Sequence, residues 1–167
     1  QNATPWAGEK LYQILNYRYN ARLPTVVTSN QRLDEIDLRI RSRLVDPVFA
    51  IVVRILAPDY RREFVDQEGS DLSSLSLLED MTFETFSLRE DELAGDLREH
   101  LKDVVERCRK YAAEPQGWLV LTGEYGTGKT HLAAAIAHAH VKRGYSALFI
   151  VAPDLLDHLR ATFSPSS

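Results

Sequence analysis

The sequence predicts an α/β fold, a parallel sheet with helices on both faces. Three observations carry this expectation. Short apolar, β-branched runs alternate with helical patterns along the chain. The helical patterns lie between the runs, so helices connect them and cover a parallel sheet on both faces. One run passes directly into a glycine-rich turn and then an alanine-rich helix.

Thr4-Pro5 opens a first helix, with Thr as the cap and Pro at the first helical position. Leu11, Ile14, Leu15 and Tyr19 carry it forward at helical spacing to about residue 19. Residues 24–28 (Pro-Thr-Val-Val-Thr) read as a strand that ends at Ser29-Asn30. An arginine-rich helix is expected over 34–44, and a second strand over 49–56, closed by Pro58. Residues 61–80 change character, with six carboxylates among Gly69 and four serines, and read as an acidic linker or solvated loop. Residues 82–86 form a short strand or an aromatic tuck. An amphipathic helix over 91–113 gathers Leu93, Leu97, Leu101, Val104, Val105 and Cys108 on one face. Strand 118–122, helix 130–143 stopped by Gly144, strand 147–151 and helix 153–162 complete the series.

Composition narrows the class. Hydrophobic residues make up 44% and charged residues 26% of the 167, which describes a globular chain with a core rather than a disordered one. No apolar run approaches the roughly 20 residues that cross a bilayer, and no signal peptide is visible, although Gln1 is not an initiator Met. Cys108 is the single cysteine, so no internal disulfide forms and a cytoplasmic setting is expected. A formal charge of −4 argues against wholesale coating of nucleic acid. No internal repeat is present, and both ends have the look of cut points.

The strongest signal is Gly123-Glu124-Tyr125-Gly126-Thr127-Gly128-Lys129-Thr130, a G-x-x-x-x-G-K-[ST] loop between a strand and a helix. The chemistry requires these residue types. Glycines let the backbone curl so that successive amides face phosphate oxygens. The following helix adds the partial positive charge of its N-terminus. Lys129 supplies a full charge to the terminal phosphates, and Thr130 a hydroxyl to Mg²⁺. Residues 123–131 are therefore the expected ATP contacts, His131 included. Hydrolysis also needs an acidic pair on a neighbouring strand. Glu79-Asp80 sits in polar sequence and Asp154 at a helix start, and neither is a good match.

The stretch Leu121-Thr-Gly-Glu-Tyr-Gly-Thr-Gly-Lys-Thr-His-Leu-Ala-Ala-Ala-Ile-Ala137, with Thr25-Val-Val-Thr-Ser-Asn30 and Arg41-Ser-Arg-Leu44, resembles the AAA+ ATPases. The likeness is to the DnaC/DnaI helicase-loader and IstB transposition-helper branch, over most of the chain outside the linker. The resemblance implies a P-loop NTPase sheet of order 5-1-4-3-2. It implies catalytic roles for Lys129, for Asn30 as the sensor of the γ-phosphate, and for Arg43 as an arginine finger given in trans, with Arg39 or Arg41 in that role if the register differs. It further implies ATP and Mg²⁺ as cofactors, self-association, and a replicative helicase and single-stranded DNA as partners. An IstB-like helper, a small-molecule kinase and a non-hydrolysing interaction module are the alternatives.

The segments stand in reversed order relative to that family, and the strand with the acidic pair is missing. The expected organisation is residues 1–62 as the second half of the module, 63–81 as linker and 82–167 as the first half. Tandem copies, a rearranged chain and a degenerate domain each account for this. The expected sheet is incomplete, lacking strand 3, with order 5-1-4 and strand 2 displaced.

Weaker signals have bland readings. His138 and His140 lack the four-residue spacing of a helical metal pair and read as packing or surface groups. Trp6, Tyr12, Tyr17 and Tyr19 read as helix packing rather than base stacking. Arg107, Arg109 and Lys110 read as a solvated helix end, and nothing local supports a nucleotide role for Arg61.

Overall fold

The computed structural model describes residues 4–59 and 75–163. The helices are α1 (Pro5–Asn20), α2 (Leu38–Leu44), α3 (Gly95–Ala113), α4 (Lys129–Lys142) and α5 (Ala152–Phe163). The strands are β1 (Thr25–Ser29), β2 (Ala50–Ile55) and β3 (Trp118–Gly123). The sheet is parallel, of order β1-β3-β2. The strand that leads into the glycine loop is in the middle, as in the expected 5-1-4 arrangement.

The middle strand explains its own position. Trp118, Leu119, Val120 and Leu121 are all essentially buried, as a strand covered on both faces must be. Its alternation then divides the core in two. Leu119 and Leu121 join Val53, Ile55, Leu101, Val104, Cys108 and Leu132 beneath α3 and α4. Trp118 and Val120 join Ile40, Leu44 and Phe49 beneath α1 and α2. The result is three layers, helix–sheet–helix.

Local chemistry sets the element ends. The Thr4 hydroxyl accepts from the Ala7 amide at 3.3 Å, capping α1 above Pro5. The Asp37 carboxylate accepts from the Arg39 amide at 2.9 Å and starts α2 there. The helix expected over 34–44 is therefore shorter, because Asp37 caps better than it propagates. Upstream of it Leu33–Glu35 makes only a 3-10 turn. The helix expected from 91 likewise starts at Gly95, because Arg89 adopts φ +54° and its carbonyl takes the amides of Glu92 and Leu93 in a turn. Gly117 turns the chain into β3 at φ +64°, where a Cβ would lie 2.2 Å from the Phe49 carbonyl oxygen.

Two expectations need correction or resolution. Residues 147–151 form no strand, and Leu148 and Val151 are exposed. The run is outside the sheet, as displacement implied, but with no neighbouring strand it has no ladder to join, and an isolated strand is not stable. Residues 82–86 are an aromatic tuck and not a strand, with Phe83 buried and Phe86 packed on the α3–α4 core. Of the linker, residues 63–74 lie outside the described residues, as does Arg61, and Leu75–Leu78 is a 3-10 turn. Among the described residues no helix is long and apolar enough to cross a membrane.

Cys108 has no exposed surface between α3 and the sheet, and burial pushes its thiol up to about 12. Iodoacetamide at pH 8 is expected to leave the folded protein unlabelled and to label it once in urea, read by mass spectrometry. The thiolate is the reactive form, and only the unfolded chain supplies it. The sign for stability follows. Well below pH 9 the thiol is protonated in both states; as pH rises toward 9 and beyond, the unfolded chain ionises first, so alkali favours unfolding.

Candidate functional site

The loop predicted to hold phosphate leaves the C-terminal end of β3, the end of a parallel sheet where ligands bind. It runs into α4, whose cap residue Gly128 sits at φ +95°. Gly126 is also left-handed, at φ +70°. The amides of Gly126 and Gly128 donate to no backbone carbonyl among the described residues. The loop is thus curled, and it presents unpaired donors beside a helix N-terminus, which suits an anionic oxygen cluster.

Lys129 is 5% exposed. Its ammonium donates to the Gly123 carbonyl at 2.9 Å, to the Glu124 carbonyl, and to the Thr127 hydroxyl at 3.2 Å. Thr127, also buried, donates onward to the Glu124 carbonyl at 3.1 Å. The loop oxygens therefore hold a desolvated cation inside the curl, where charge acts more strongly than in water. Thr130 lies exposed in the first turn of α4, and Tyr125 projects at the tip of the loop. These donors fit a polyphosphate.

The other predicted residues are placed unequally. Asn30 follows Ser29, which is in register with Thr122, so it sits at the same end of the sheet as Gly123, just past the adjacent strand. Its exposure leaves it accessible there. Arg43 lies on α2 and turns to α1. It donates to the Asn16 side chain through two guanidinium nitrogens, one at 3.1 Å, and stands 5.0 Å over the Tyr12 ring. Arg39 pairs with Glu9 at 2.9 Å, and Arg41 donates to the Asp34 carbonyl at 3.2 Å. Glu79 and Asp80 are exposed in a turn, and Asp154 is exposed in the first turn of α5, so none of the three stands on a strand. Among the described residues no group of three or more His, Cys, Asp or Glu is placed to hold a metal ion.

The aromatic residues of α1 divide as packing groups. Tyr19 meets Phe49 and Trp118 edge-on at 5.0 and 5.9 Å, and Trp6 lies under Arg160 at 5.0 Å. Tyr17 remains exposed. His140 stacks on Tyr145, and Arg107 pairs with Asp103. Sequence reasoning placed Thr127 among the loop contacts, but not as the buried hydroxyl under Lys129. It missed Phe86, whose ring edge would lie 2.8 Å from a Cβ on Gly128. The pair Phe83 and Phe86, three apart in polar sequence, was the available signal.

A parallel sheet, a curled glycine loop at its C-terminal end and a buried lysine opening the next helix define the class of P-loop nucleotide-binding proteins. Residues 71–164, more than half of the chain, match the family described as IstB-like ATP binding protein, and the chain belongs to that family. It is 45% identical over 49 residues to an ATP-binding protein of insertion sequence IS1162 from Pseudomonas fluorescens, covering 29% of this chain and 21% of that one. It is 36% identical over 67 residues to the replicative helicase loader DnaC of Escherichia coli K12, covering 38% of this chain and 27% of the loader. The DnaC of Buchnera aphidicola from Acyrthosiphon pisum is 33% identical over 69 residues, covering 40% and 28%. The matches thus span about a quarter of these relatives' own length. No solved structure matches. The chain is an ATP-binding protein of the DnaC/IstB branch.

Proposed function

We propose that residues 123–130 bind the triphosphate of ATP, with Mg²⁺ at Thr130, in a protein that acts as a helicase-loader type of AAA+ ATPase in DNA replication. The observation that carries this is the curled loop around the buried Lys129 ammonium, at the ligand-binding end of a parallel sheet. Likeness to DnaC supports a replicative helicase as partner and single-stranded DNA as a further one. Likeness to the insertion-sequence protein supports the second reading, a transposition helper with the same nucleotide site.

Within this proposal Asn30 reads the γ-phosphate, and its place directly after Ser29, the partner of Thr122, supports that role. Arg43 serves a neighbouring subunit's ATP in a self-associated form. That role requires it to leave Asn16 and Tyr12, to which it is held here. The division into 1–62, 63–81 and 82–167 as rearranged halves of one module belongs to the same proposal. The placement of β3 between β1 and β2 supports it, because strands from both halves build one sheet.

The expected result is saturable ATP binding by calorimetry with almost no phosphate release in a malachite-green assay. The described residues place no acidic pair on a strand beside the loop, and such a pair holds Mg²⁺ and orients the attacking water. Turnover typical of complete AAA+ enzymes would overturn the second half of that expectation. Absence of ATP binding would overturn the first.

A further inference from the structure

Two histidines of α4, His131 and His138, stand seven residues apart and so share one face of the helix. Each addresses a main-chain oxygen of the segment that precedes α3. His131 Nε2 lies 2.7 Å from the Thr82 carbonyl and His138 Nε2 lies 2.8 Å from the Leu78 carbonyl. A carbonyl only accepts, so both rings carry their proton on Nε2. His131 also meets Phe86 edge-to-face at 5.1 Å. Phe86 in turn fills the open side of Gly128, the last glycine of the loop. From the far side Arg109 donates to the Phe83 carbonyl at 3.2 Å and lies 4.7 Å over the Phe83 ring. Contacts run without a gap from Thr82 through His131 and Phe86 to the loop.

We propose that His131 is a positioning residue: it holds residues 82–86 as a brace against Gly128 and thereby fixes the phosphate loop, without itself contacting nucleotide. This departs from the sequence-based expectation that His131 is an ATP contact. Its ring nitrogen is committed to Thr82, on the brace and not on the loop. The inference rests on the ATP-site reading for its affinity consequences only. The brace has a second readout in the mobility of the loop.

The test uses the whole chain and four forms: wild type, His131→Ala, His131→Gln and His138→Ala. Calorimetry is run with ATP and with inorganic tripolyphosphate, and amide hydrogen exchange is followed for residues 82–86 and 126–129. His131→Ala is expected to weaken both ligands by the same factor, about tenfold, the scale of one positioning hydrogen bond. His131→Gln, which keeps an N–H donor, is expected to recover most of this. His138→Ala, which loosens the clasp two turns away, is expected to stay within about twofold of wild type, since it leaves the Phe86 contact intact. Exchange is expected to quicken at both segments in His131→Ala. Should that variant fail to fold, His131→Phe, which keeps a ring against Phe86 but no donor, takes its place. Unchanged exchange at 126–129 overturns the brace. So does a loss confined to ATP, which marks direct contact with base or ribose. If wild type binds neither ligand, the ATP-site reading falls, and the exchange comparison still decides the brace.

Discussion

Lys129→Met is expected to lower ATP affinity by more than about 100-fold while leaving the chain folded. The figure follows from what the ammonium does. A hydrogen bond to an ionised group contributes about 1.5–3 kcal/mol, and with two of its three N–H groups turned from loop oxygens to phosphate oxygens the ammonium gives about 3 kcal/mol or more. At 1.4 kcal/mol per tenfold, that is about 100-fold in Kd. Burial raises the stake, because Lys129 is 5% exposed and its charge is little screened by water. Methionine keeps the length and apolar stem of the side chain, so the packing beneath the loop survives. It removes the donor to the Gly123 and Glu124 carbonyls, two part-buried bonds of the loop. Lys129→Arg keeps the charge and is expected to fail as well. A planar guanidinium needs more room than a buried ammonium held by three loop oxygens provides. Calorimetry measures the loss directly, and the nucleotide-dependent rise in Tm should disappear in parallel. An unchanged Kd in the methionine variant would remove the basis for placing triphosphate at this loop.

The parts legible in the sequence are those where local chemistry and tertiary placement agree. The loop was readable because its glycines, lysine and flanking elements each restrict the backbone independently. The central strand was readable because Trp118 to Leu121 are uninterrupted apolar residues. Where a decision depended on distant partners, sequence periodicity was not enough. Residues 147–151 have the composition of a strand, yet a strand exists only with a neighbour to share its ladder, and the sheet offers none there. Asp37 looked like an interior helical residue until its carboxylate took the Arg39 amide. Arg43 shows the same limit in a side chain. Its position on a helix was evident, but its attachment to Asn16 and Tyr12 depends on how α2 crosses α1. Phe86 escaped notice, and Thr127 was read only as a loop contact, because a phenylalanine in a polar stretch and a buried threonine hydroxyl acquire their roles only when Gly128 and Lys129 are beside them.

Trp118→Ala is expected to destabilise the fold by about 4 kcal/mol, the usual cost of deleting a buried large aromatic. Several features place it toward the upper part of that range. Trp118 has no exposed surface and begins the strand that all other strands need. Its backbone amide donates to the Phe49 carbonyl at 2.9 Å, and its indole N–H donates to the Leu23 carbonyl at 3.2 Å. The indole therefore ties the chain entering β1 to the middle of the sheet, across 95 residues of sequence. Removing it leaves the Leu23 carbonyl without that donor and strips Tyr19 and Phe49 of a shared ring contact. The neighbouring strands cannot close the gap, because Gly117 is pinned against the Phe49 carbonyl and fixes the height of β3. Urea unfolding followed by circular dichroism should show the midpoint falling with an unchanged slope. Trp118→Phe, which keeps much of the volume and loses the N–H, should recover more than half of the loss. If alanine at this position costs less than about 1 kcal/mol, β3 is not the strand that holds the two faces together. The α1–α2 layer would then be stabilised independently of the sheet, and the site at the end of β3 would rest on α3 and α4 alone.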